Sequence, residues 1–135
     1  GIDNVEFREG RIEELPVEGG GFDCVISNGV INLSPDKQGV FAEVARVLRP
    51  GGRMAIADIV SEAQLTEAIV CDADLWASCI GGATQQDTYR DVIEAAGLTV
   101  VEVRTNPYGF ISDQAKSASA KYGVKSISLL ARAVS

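Results

Sequence analysis

Phe22-Asp23-Cys24-Val25-Ile26-Ser27-Asn28-Gly29-Val30-Ile31-Asn32-Leu33 and, after one helix length, Leu48-Arg49-Pro50-Gly51-Gly52-Arg53 are the stretches that decide the fold. In the first, an apolar run broken only by Asp23 lies between Gly19-Gly20-Gly21 and Ser27-Asn28-Gly29, the pattern of a strand buried on both faces. Ser34-Pro35-Asp36 then reads as a helix start, with a hydroxyl cap, proline at the first helical position and an acid in the positive first turn. Val40, Phe41, Val44, Val47 and Leu48 form one apolar stripe, and Arg49-Pro50-Gly51-Gly52 ends the helix because proline cannot continue its hydrogen-bond ladder. Met54 to Ala57 reads as the next buried strand, closed by Asp58.

Working outward, Val5 to Glu9 alternates apolar and charged residues before Gly10, as a strand with one buried face does. Ser61 to about Ile80 is helix-like, stopped by Gly81-Gly82. Thr84 and Asp87 suggest a capping box for a helix whose inward stripe is Tyr89, Val92, Ile93 and Ala96, with Gly97 at its end. Leu98 to Val103 and Ser126 to Val134 read as strands, with a small polar helix near Asp113 to Tyr122. Strands alternating with helices predict one α/β domain over residues 1–135 with a largely parallel sheet. Ligands of such sheets sit beyond the carboxyl ends of the strands. Three segments fall there: Gly10 to Glu13, Ser27 to Leu33 and Asp58 to Ser61.

Composition narrows the chemistry. The 135 residues carry a formal charge of −7, which argues against a nucleic-acid partner. No run approaches the roughly 20 apolar residues of a bilayer span, and no secretion signal opens the chain, so a cytoplasmic location is the default. Three cysteines, Cys24, Cys71 and Cys79, without C-x-x-C spacing predict neither a disulfide framework nor a metal centre. Histidine is absent, so any chemistry proceeds without imidazole.

The paired motifs at this spacing resemble those of class I S-adenosylmethionine-dependent methyltransferases. In that family the fourth strand carries an F-D-x-V-x-S-N type segment, and an R-P-G-G turn leads into the fifth strand. Glu6 to Pro16 is similar to the third strand and the loop that contacts the adenine. Ser27 to Lys37, Trp76 to Ala83 and Tyr122 to Ser128 resemble the arsenite-methyltransferase-like branch more narrowly. The resemblance implies a partial Rossmann-like sheet from the third strand onward, mostly parallel with an antiparallel last strand. It implies S-adenosylmethionine as the parent family's cofactor, with Arg11, Ile12, Ser27, Asn28, Gly29, Val30 and Leu33 on the cofactor side and Cys79 on the substrate side.

The chain departs from the family in three ways. The family's first strand and G-x-G-x-x loop would precede Gly1, and Gly19-Gly20-Gly21 cannot replace that loop because it leads into a strand. Arg11 stands where the family usually has an acid, and Gly29 where arsenite methyltransferases have an arsenic-binding thiol. Several residues keep a plainer reading beside the functional one. Ser27-Asn28-Gly29 also suits a strand-ending turn, Arg11 a solvated loop and Asp58 a helix cap, while all three cysteines suit free thiols and Trp76 a core position. No residue is assigned as catalytic. The expected function is that of a methyltransferase portion acting on a small molecule and inactive alone. The alternative is a free-standing, non-catalytic α/β binding or assembly module. The exposed sheet edge invites pairing with another chain, so a homodimer or a rearranged edge is expected.

Overall fold

The computed structural model describes residues 3–62, 84–106, 116–117 and 123–134. Among them, strand β1 (Phe22–Asn28) runs into a 3-10 turn (Ile31–Leu33), helix α1 (Lys37–Val47) and the long strand β2 (Leu48–Ser61). After the undescribed stretch come the two-residue β3 (Thr84–Gln85), helix α2 (Gln86–Ala95), β4 (Leu98–Asn106) and β5 (Lys125–Ala133). The sheet order is β1-β2-β5-β4, with β3 beside the end of β2. β1 and β3 lie parallel to β2, while β5 lies antiparallel to both β2 and β4. Every strand except the last therefore shares one direction, as expected.

Both helices pack on one face of the sheet. α1 turns Val40, Phe41, Val44 and Val47 inward, and α2 turns Tyr89 and Ile93 inward, against Met54, Ile56 and Val60 of β2. The Phe41 and Tyr89 rings meet edge to face, 5.4 Å between centroids, and join the two helices. The R-P-G-G turn has a steric reason: a Cβ on Gly52 would sit 2.9 Å from the Arg49 carbonyl oxygen and 3.1 Å from that of Phe22. Only glycine lets β1 and β2 close up at that point.

Several expectations are corrected. Val5 to Glu9 forms no strand; Phe7 is 94% exposed and Val5 55%. Alternation suits a segment to a sheet but supplies no neighbour to pair with, and no described strand lies beside it. The segment is instead held by Arg8, which donates to the Pro16 carbonyl, and the loop at 15–17 is tied to α1, where Glu43 accepts from the Leu15 amide and Arg46 donates to the Leu15 and Val17 carbonyls. β1 is not buried on both faces. It ends the sheet among the described residues, and Phe22 and Ile26 are exposed at 43% and 79%.

Helix α1 starts two residues later than Ser34 implied. Asp36 is the cap, accepting from the Gly39 amide, and Ser34 Oγ accepts from the Asp36 amide one turn earlier. In α2 the cap is Gln85, whose side chain accepts from the Thr88 amide, rather than Thr84. Asp58 neither closes a strand nor caps a helix; β2 continues through it to Ser61. Of the helix expected from Ser61, residues 63–83 lie outside the described part, as do Cys71, Trp76 and Cys79. Of the small helix near Asp113 to Tyr122, residues 116–117 are described and are helical.

Candidate functional site

At the carboxyl end of β1 the chain turns sharply. Gly29, at φ +75°, donates its amide to the Ala57 carbonyl and ends the pairing with β2. The positive φ suits glycine, so this position was legible as a turn signal. The chain then folds into the 3-10 turn, in which the Leu33 and Ser34 amides donate to the carbonyls of Val30 and Ile31.

A second loop meets this turn. The Arg11 carbonyl accepts from the Glu14 amide, closing a tight bend, and the Ser34 hydroxyl donates to Glu13 Oε1 at 2.7 Å. That bond fastens the 11–14 loop to the 31–34 turn. The Ser34 hydroxyl holds the Glu13 carboxyl below the ordinary glutamate value.

Between loop and turn lies a cavity of about 520 Å³, with Ile12, Leu15, Val25, Ser27, Asn28 and Val30 among its lining residues. A groove of about 780 Å³ also borders Leu15 and Val25 and reaches Glu6, Arg8 and Phe22. Four of the seven residues expected on the cofactor side, Ile12, Ser27, Asn28 and Val30, therefore converge on one cavity. Arg11, Gly29 and Leu33 are not among its lining residues. Leu15 and Val25 were not anticipated there, because an apolar residue in a loop or mid-strand carries no sequence mark of facing a cavity.

Beneath the turn lies a buried polar cluster. Asp58 is 3% exposed and accepts from the Tyr89 hydroxyl at 3.1 Å and from its neighbour's amide, Ile59, at 3.0 Å. Burial raises the Asp58 carboxyl above its ordinary range; the Ile59 amide, the Tyr89 hydroxyl, Lys37 and the Asn32 amide oppose that rise. Burial, and then Asp58, push the Tyr89 hydroxyl well up, so it remains a donor. Burial lowers the Lys37 ammonium, while Asp58 works to raise it. Lys37 Nζ donates to the carbonyls of Asn32 and Ser34. The Asp58–Tyr89 pair spans 31 positions and two elements. No local pattern announces it.

Residues 1–97 match the family model described as a methyltransferase domain. The chain belongs to this methyltransferase-domain family. Within it, the chain is 43% identical over 113 residues to an arsenite methyltransferase from Halobacterium salinarum, covering 82% of this chain and 29% of that protein. It is 46% identical over 83 residues to the arsenite methyltransferase of Mus musculus, covering 59% of this chain and 22% of that protein. Among solved structures, an arsenic(III) S-adenosylmethionine methyltransferase from Chlamydomonas reinhardtii superimposes with a TM-score of 0.73 at 29% identity, covering 93% of this chain and 42% of that one. The chain thus spans less than half the length of each of these relatives. Among its described residues, no cluster of acidic and cysteine side chains suits a metal ion, and no helix is long and apolar enough to cross a membrane.

Proposed function

We propose that this chain is the adenine-side and acceptor-side portion of a methyltransferase that transfers a methyl group from S-adenosylmethionine to a small-molecule acceptor. The observation that carries the reading is the cavity at the carboxyl end of β1, where the sequence motif coincides with a partly open, mainly apolar hollow. Its fit to the cofactor rests on the donor set. Ile12, Leu15, Val25 and Val30 offer apolar walls to a flat base, while Ser27 and Asn28 offer a hydroxyl and an amide to polar edges. The resemblance also assigns Arg11, Gly29 and Leu33 to the cofactor side and Cys79 to the acceptor side; the first three are not among the cavity's lining residues, and Cys79 lies outside the described residues.

When bound, S-adenosylmethionine supplies the electrophilic methyl group and its own leaving group. What these residues contribute is orientation and exclusion of water, which suits a chain without histidine. Gly29 brings no thiol to this turn, so arsenite is not the acceptor proposed. Transfer by this chain alone is not expected. Calorimetric titration with S-adenosylmethionine and S-adenosylhomocysteine tests the reading. Saturable binding is expected, and its loss in Val30→Arg, which places a long cation on the apolar wall. Absence of saturation by either compound removes the reading.

A second reading, an assembly module, is favoured by one observation. β1 presents an edge with no described strand beside it, and Ile26 beside that edge is 79% exposed. Such an edge pairs readily with another chain. A homodimer at micromolar concentration is the expected outcome in sedimentation velocity, shifted to monomer by Ile26→Lys. A clean wild-type monomer rules the dimer out.

A further inference from the structure

The 3-10 turn is held from more directions than a three-residue turn needs. Lys37, at the start of α1, donates to the carbonyls of Asn32 and Ser34. Asp58, in the middle of β2, draws on the Asn32 amide and accepts from Tyr89 of α2. The Tyr89 ring is itself fixed against Phe41 of α1. Lys37 of α1 therefore bonds the turn directly, Asp58 of β2 meets it at the Asn32 amide, and Tyr89 of α2 reaches it through Asp58, so the means are directional polar groups. What such a cluster adds is direction.

We propose that the buried carboxylate of Asp58, with Tyr89 and Lys37 around it, fixes the Val30–Ser34 turn and so sets one wall of the cavity without touching what the cavity holds. Asp58 and Tyr89 are then positioning residues. Their consequence for a ligand rests on the cofactor reading above; their grip on the turn does not. The cluster lies beneath the turn, and neither Asp58 nor Tyr89 lines the cavity.

Tyr89→Phe removes the hydroxyl and keeps the ring against Phe41. Hydrogen exchange followed by NMR is the first readout. The Leu33 and Ser34 amides, bonded to Val30 and Ile31, are expected to exchange on the order of tenfold faster, comparable to the loss of one hydrogen bond. Amides of the β2–β5 ladder, such as those of Ile56 and Leu129, keep their wild-type protection. Uniform acceleration of all amides, or unchanged turn amides, overturns the proposal. Should Tyr89→Phe fail to fold, Asp58→Asn is read in the same way.

The second readout is titration with S-adenosylhomocysteine, expected to bind about tenfold more weakly to the variant, in proportion to the loosened turn. Unchanged affinity in a variant whose turn has loosened overturns the link to the ligand. If the wild-type chain binds none, the cofactor reading falls, and the exchange data still decide whether the cluster holds the turn.

Discussion

Phe41→Ala is expected to destabilise the chain by about 3–5 kcal/mol, the range for deleting a fully buried aromatic side chain. Phe41 is 0% exposed and sits where α1, α2 and the sheet meet, so its ring is in contact on all sides. Truncation removes the transfer free energy of the ring, leaves a cavity and strips Tyr89 of its edge-to-face partner. Small domains are stable by only about 5–15 kcal/mol in total, so the variant retains a fraction of the wild-type margin. Urea unfolding followed by circular dichroism measures the loss, with Phe7→Ala as control. Phe7 is 94% exposed, and its removal is expected to change stability by no more than about 0.5 kcal/mol. Similar midpoints for the two variants would show that the core is not built around Phe41.

The second large effect is expected at Asp58. Asp58→Ala removes the acceptor of buried donors that include the Tyr89 hydroxyl and the Ile59 amide. Each such group costs about 1–3 kcal/mol. Asp58→Asn keeps an acceptor oxygen and is expected to lose less. The two variants also separate the role of charge, because burial raises the Asp58 carboxyl above its ordinary value of 3.8 in the folded chain. A raised folded value means that the native state binds the proton more tightly than the unfolded one. The wild type therefore loses stability relative to Asp58→Asn as pH climbs from the ordinary aspartate value through the raised one. Glu13 has the opposite sign: its carboxyl is held low by Ser34, so the stability it contributes is present above the ordinary glutamate value and is lost as pH falls through the depressed one. Unfolding curves at several pH values for wild type and Asp58→Asn test this. Wild-type stability that rises relative to Asp58→Asn as pH climbs would contradict the assignment.

What the sequence reveals here is what local chemistry determines. The Tyr89 and Ile93 stripe, the Gly97 stop and the apolar run of β5 each depend on residues within one element, and each is found where expected. Val5 to Glu9 fails because alternation describes a segment's faces, whereas a strand also needs a hydrogen-bonding neighbour. β1 fails in burial for the same reason: its composition suits the middle of a sheet, and its place is the end. Ile12, Ser27, Asn28 and Val30, which the family resemblance puts on the cofactor side, lie together on one cavity. The Ser34–Glu13 bond and the Asp58–Tyr89 pair were not legible in the sequence, because each joins residues 21 or more positions apart.

The strand order has a consequence for how the sheet comes into being. β5, synthesised after every other described strand, lies between β2 and β4 and supplies the hydrogen-bonding partner of both. Until it leaves the ribosome, β4 has no described strand to pair with, and β2 keeps one edge open along most of its length. Pairings between Arg53 and Arg132 or Val60 and Lys125 also close long loops, and contacts so far apart in sequence form slowly. The sheet is therefore completed only once β5 has emerged, and until then an apolar edge of β2 stays open to chaperones or to other nascent chains.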